Sequence, residues 1–201
     1  MGDNGSGKST ILKLLCSLYP PDNGNIKIDD QNILKLRKEY LVRDISIIFA
    51  DPYLFDDSIY ENIQIGNLSA SKEEIVHAAK IVNIHEFIKN LPEEYKTPVG
   101  ENGIMLSSGE KQKIALARAI LKDSPIILLD EVTKSIDIES RESINQVIKN
   151  LKDEKTIIIV THNINEIEPE SNIIYLEQES DEPKIEKQGI IQQSRLERLE
   201  I

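Results

Sequence analysis

Apolar positions recur along this chain at two spacings, and the alternation between them predicts its elements. Ile11, Leu12, Leu14, Leu15 and Leu18 form an apolar helix after residue 9. A turn of Pro20, Pro21, Asp22, Asn23 and Gly24 stops it, and a short alternating strand is expected over 26–29. Polar sequence with apolar spacing runs to Arg43, and 45–49 reads as a buried strand. Residues 50–57 read as a loop carrying Pro52, Tyr53, Leu54 and Phe55. From 58 to 90 the period is helical, with one stripe at Ile75, Ala78, Ala79 and Val82 and another at Phe87, Ile88 and Leu91. A glycine-bearing loop follows over 98–109, then a helix over 110–121. Beyond it the pattern alternates: strand 126–129, helix 138–151, strand 156–160, strand 173–176. Strands alternating with helices predict an α/β fold with a mostly parallel sheet. The central helical block, about 56–122, is expected as a subdomain inserted into it. The charged tail from Glu177 reads as peripheral.

Composition narrows the class. The chain of 201 residues is long enough for one domain with a substantial core. Its formal net charge of −11 argues against a nucleic-acid partner. The single cysteine, Cys16, excludes an intrachain disulfide. Apolar runs never exceed four residues, so no membrane-spanning helix is expected. The first residues do not read as a signal or transit peptide.

The candidate chemistry begins at residue 2. Gly2, Asp3, Asn4, Gly5, Ser6, Gly7, Lys8 and Ser9 fit the spacing G-x-x-x-x-G-K-[ST]. Glycines let such a loop turn tightly and aim successive N–H groups at phosphate oxygens. The helix behind adds its N-terminal amides and dipole. Lys8 would reach the β- and γ-phosphates, and Ser9 would ligate Mg²⁺ through its hydroxyl. Such a loop is ordinarily fed by a buried central strand. Only Met1 precedes it here, so that first strand is expected to be missing.

The strand at 126–129 runs into Asp130 and Glu131. Open α/β sheets bind ligands beyond the carboxyl ends of their strands. Asp130 can hold Mg²⁺ there, through water or beside Ser9. Glu131 can orient or deprotonate an attacking water. The strand at 156–160 ends in Thr161 and His162, where the imidazole could meet a γ-phosphate. Ser107 precedes the helix over 110–121, with Ser108, Gly109 and Glu110. Ser107 and Glu110 have capping-box spacing, and the same turn can serve as an anion site. Asp137 is placed to cap the helix over 138–151.

These motifs in this order resemble the nucleotide-binding domain of ABC transporters. The phosphate loop matches at 2–10, which includes Thr10. Leu106 to Glu110 is similar to the family's signature motif. Residues 126–131 resemble its magnesium and catalytic-glutamate strand, Ser135 to Asp137 its interface-crossing loop, and His162 its switch histidine. The segments 51–63 and 99–103 look like the exporter branch. The resemblance implies a P-loop NTPase fold and ATP hydrolysis with Mg²⁺. It also implies a head-to-tail dimer with a second nucleotide-binding domain, identical or not. ATP would lie between Lys8 and Ser9 of one copy and Ser107 to Gly109 of the other. Transmembrane domains of an exporter, on this chain or another, would hold the protein at the cytoplasmic face of a membrane.

Several positions depart from the family. Ala50 falls where the family carries its Q-loop glutamine and offers no polar side-chain atom. Ser108 replaces a glycine, Glu110 a glutamine, and Lys134 a residue that is more often serine. Neither Tyr19 nor Tyr40 falls at the adenine-stacking position, which precedes the loop. The departures leave open an ATP-dependent dimerising or regulatory module with weak turnover. A truncated fragment without activity is the third alternative.

Overall fold

The computed structural model describes residues 1, 6–163, 171–176, 184–186 and 199–200. In chain order the elements are α1 (Lys8–Leu15), β1 (Lys27–Ile28), β2 (Gln31–Asn32), α2 (Lys38–Asp44), β3 (Ile45–Ile48), α3 (Ile59–Gln64), α4 (Lys72–Ile81) and α5 (His85–Lys89). They continue with α6 (Ser108–Lys122), β4 (Ile126–Asp130), α7 (Ile138–Leu151), β5 (Thr156–Val160), β6 (Ile173–Tyr175), β7 (Lys184–Glu186) and β8 (Leu199–Glu200). The chain divides into two compact units, Met1–Ile45 with Ile159–Ile201, and Ser46–Ile158.

The second unit is built around a sheet of order β3-β4-β5. Helices connect β3 to β4 and β4 to β5, as a parallel pair requires. Strand β4 is buried at all five positions, which suits a central strand covered on both faces. Its Ile127 and Leu129 share a core with Ile144 and Val147 of α7 and with Ile114 and Leu116 of α6. The long helix α6 also packs against α3 and α4, so the predicted helical block closes on it. The helical stretch expected over 58–90 consists of three helices. Ser58 and Ser71 each cap a new start by accepting from a backbone N–H, Ser71 within a full capping box with Glu74.

In the first unit, Leu12 and Leu15 of α1 are buried. Two small antiparallel sheets belong to this unit, of order β2-β1-β8 and β6-β7. The tail therefore contributes two short strands that its charged composition did not suggest. Met1 takes a ladder position beside β6. Its amino group donates to the Ile174 carbonyl at 2.5 Å, and Leu176 N–H donates to the Met1 carbonyl at 2.7 Å. Two bonds flanking one residue, Tyr175, follow the parallel pattern. Met1 thus lies alongside β6. Burial and the nearby charge of Lys8 hold its ammonium below the ordinary α-amino pKa.

Candidate functional site

The start of α1 is prepared for a ligand in three respects. Gly7 caps it at φ 87°, a left-handed conformation that favours glycine, and no side chain caps the helix. Lys8 is buried, whereas Ser9 and Thr10 are exposed. The Ser6 hydroxyl is buried, with no hydrogen-bond partner among the described residues. A buried hydroxyl lacking a partner is costly unless something else accepts from it. A phosphate oxygen bound at these amides fits that requirement. Gly2, Asn4 and Gly5 lie outside the described residues.

At the end of β4, Asp130 is buried and Glu131 follows at φ 48°. A left-handed glutamate directly after a strand is backbone strain of the kind that collects at functional sites. The turn closes with Lys134 N–H donating to the Glu131 carbonyl at 2.9 Å. Across that turn the Lys134 ammonium pairs with Glu131 Oε2. Among the described residues no group of three or more His, Cys, Asp or Glu side chains gathers as a metal site. A Mg²⁺ held by one carboxylate, one hydroxyl and substrate phosphates needs no such group.

The other predicted anion site is assembled within the same unit as Asp130 and Glu131. Ser107 Oγ accepts from Glu110 N–H at 3.3 Å, and Glu110 Oε2 accepts from Ser107 N–H at 2.8 Å. Glu110 is therefore turned back onto the cap. Gly109 lies against the start of α7: a Cβ there would sit 2.4 Å from Ser140 Oγ and 3.2 Å from Asp137 Oδ2. Asp137 caps α7 by accepting from Ser140 N–H at 2.8 Å. That backbone bond, with the Ser140 hydroxyl, draws the Asp137 carboxyl below the ordinary aspartate range. Ser108 Oγ donates to the Ser135 carbonyl at 2.9 Å. Ser135 is itself left-handed, at φ 66°. The serine that departs from the family's glycine thus ties the α6 start to the loop before α7. Lys8, Ser9 and His162 belong to the other compact unit, where His162 is exposed beyond β5.

Gln112, Arg118 and Asn62 organise the loop after β3. Gln112, buried on α6, donates through Nε2 to the carbonyls of Phe49 at 2.9 Å and Ala50 at 2.6 Å. The backbone of Ala50 is held in this way although its side chain offers nothing. Arg118 donates to the Tyr53 carbonyl and the Asn62 carbonyl, each at 2.6 Å, and to Asn62 Oδ1. Burial pulls the pKa of this arginine down to about 10. Asn62 in turn brackets Phe55, accepting from its N–H and donating to its carbonyl, both at 3.0 Å. Tyr53 and Phe55 remain exposed, their rings edge to face at 5.1 Å. The one available clue was the place of Gln112 and Arg118 among the apolar positions of α6.

The α/β fold around a buried central strand is that of the P-loop NTPases. A profile of the ABC transporter family matches residues 1–134. The chain belongs to that family. It is 43% identical over 178 residues to the human protein "Iron-sulfur clusters transporter ABCB7, mitochondrial", covering 89% of this chain and 24% of that one. It is 42% identical over 177 residues to the "ATP-dependent lipid A-core flippase" of Legionella pneumophila (strain Paris), covering 88% of this chain and 30% of that one. A solved bacterial Atm1-family ABC exporter with ATP bound is similar at a TM-score of 0.83 and 38% identity. That likeness covers 87% of this chain and 31% of that one. The exporter-like segments therefore agree with the relatives. The chain spans about a quarter to a third of their length. Among the described residues no helix is long and apolar enough to cross a membrane.

Proposed function

We propose that this chain is the ATP-binding and ATP-hydrolysing domain of an ABC exporter. The observation that carries the reading is the end of β4, where the buried Asp130 is followed by the strained, left-handed Glu131. The whole chain acts as one ATPase domain, with a helical subdomain at about 56–122. Amides of the loop containing Gly2, Asn4, Gly5, Ser6 and Gly7, together with Lys8 and Thr10, bind the phosphates of ATP. Ser9 and Asp130 would hold Mg²⁺, which supplies charge neutralisation on the β- and γ-phosphates. Glu131 takes the proton of a water attacking the γ-phosphorus in line, and His162 faces the γ-phosphate. Ser107, Ser108 and Gly109 of a second nucleotide-binding domain close over the nucleotide, with Asp137 at the interface between the two. Closure is passed to transmembrane domains, at the cytoplasmic face of a membrane. Purified chain with Mg-ATP is expected to release phosphate, and Glu131→Gln to lower the rate by about 10²-fold or more. Equal release by the two proteins sinks this mechanism.

A second reading, ATP-driven dimerisation with little turnover, is favoured by Ala50, which offers no polar side-chain atom where the family has its Q-loop glutamine. Light scattering with and without ATP addresses it. A gain in mass without phosphate release favours this reading over the first.

A further inference from the structure

The loop after β4 holds an ion pair in an unusual place. Lys134 and Glu131 are joined twice, by the backbone bond that closes the turn and by the side-chain pair across it. The Glu131 side chain is only 13% exposed and that of Lys134 is 44% exposed, so the ammonium lies toward solvent and the carboxylate lies beneath it. A base must aim a lone pair at the water it deprotonates. With Lys134 bound, Oε2 of Glu131 is aimed at an ammonium instead. The tight turn keeps the ammonium close at little entropic cost, since the backbone has already brought the two residues together. An uncharged side chain at 134 would leave the carboxylate's position to its other contacts.

We propose that Lys134 is a positioning residue that holds the Glu131 carboxylate in a resting pair, so that hydrolysis waits for the pair to open. This rests on Glu131 acting as the base. The lysine acts through Glu131. Its effect falls on kcat, because ATP binding does not require the pair to open. Arginine at 134 keeps the charge and can keep the pair, whereas serine removes both.

The test uses the full chain and two measurements. In the first, phosphate release from Mg-ATP is compared among wild type, Lys134→Ser, Lys134→Arg and Glu131→Gln. Lys134→Ser is expected to raise kcat about three- to tenfold at unchanged KM, the effect of losing one partly buried pair, while Lys134→Arg tracks the wild type. A kcat for Lys134→Ser at or below wild type overturns the proposal. If Glu131→Gln is still inactive in that case, the ATPase reading survives it. No release from any of the four proteins overturns both. In the second measurement, made without nucleotide, lysine-selective ¹⁵N labelling reports the Lys134 ammonium, assigned by its loss in Lys134→Arg. Its signal is expected to move in Glu131→Gln. An unmoved signal means that the pair does not form in solution and overturns the proposal by itself.

Discussion

Gly109 of α6 and Ser140 of α7 approach so closely that a Cβ on Gly109 would lie 2.4 Å from the Ser140 hydroxyl and 2.8 Å from its Cβ. The two positions meet at the helix starts, one capped by Ser107 and the other by Asp137. A glycine is needed here for space, whereas at Gly7 a Cβ would meet nothing among the described residues and the left-handed φ is the constraint.

Gly109→Ala must therefore push the α6 start away from α7. Alanine favours helix by itself, so any loss comes from the overlap. The expected cost is about 1–3 kcal/mol, read as a lower urea midpoint at unchanged slope. A midpoint equal to wild type would mean that α6 and α7 do not meet at this distance in solution.

Arg118 is a half-buried cation whose partners are two backbone carbonyls and an amide oxygen. Replacing it with leucine leaves the carbonyls of Tyr53 and Asn62 without these donors, at an expected cost of about 2–4 kcal/mol. Arg118→Lys recovers only part, because one ammonium cannot reproduce the fork that spans Tyr53 and Asn62. Urea unfolding checks the cost. Limited proteolysis checks the place, with faster cleavage expected near Tyr53 and Phe55.

The Asp137 cap links stability to pH. Its folded pKa is depressed, first by the Ser140 N–H bond, so its contribution is present above the unfolded aspartate pKa of about 3.9. That contribution is lost as pH falls through the lower folded value. Asn at this position caps comparably but does not titrate. Urea midpoints between about pH 5 and pH 3 are expected to fall more steeply for wild type than for Asp137→Asn. Parallel falls would show that the cap contributes no linkage.

Much of this protein was legible in order along the chain. The helix 138–151 and the strand 156–160 lie where their periods predict them. Ser107 and Glu110 could be paired from their spacing because a capping box closes within one turn. The phosphate-loop pattern and the acidic end of β4 were readable for the same reason: each is a short run whose chemistry depends on near neighbours. What only the tertiary structure decided joins residues far apart in sequence. Gly109 meets Ser140, Gln112 holds Ala50, Arg118 holds Tyr53, and Met1 adds to the ladder of β6. Even Lys134, three residues from Glu131, needed the left-handed turn before the two charges could meet. Hydrophobic period is a local property and says which face of an element is buried. It does not say which buried polar group will meet which carbonyl, because that depends on how the elements pack.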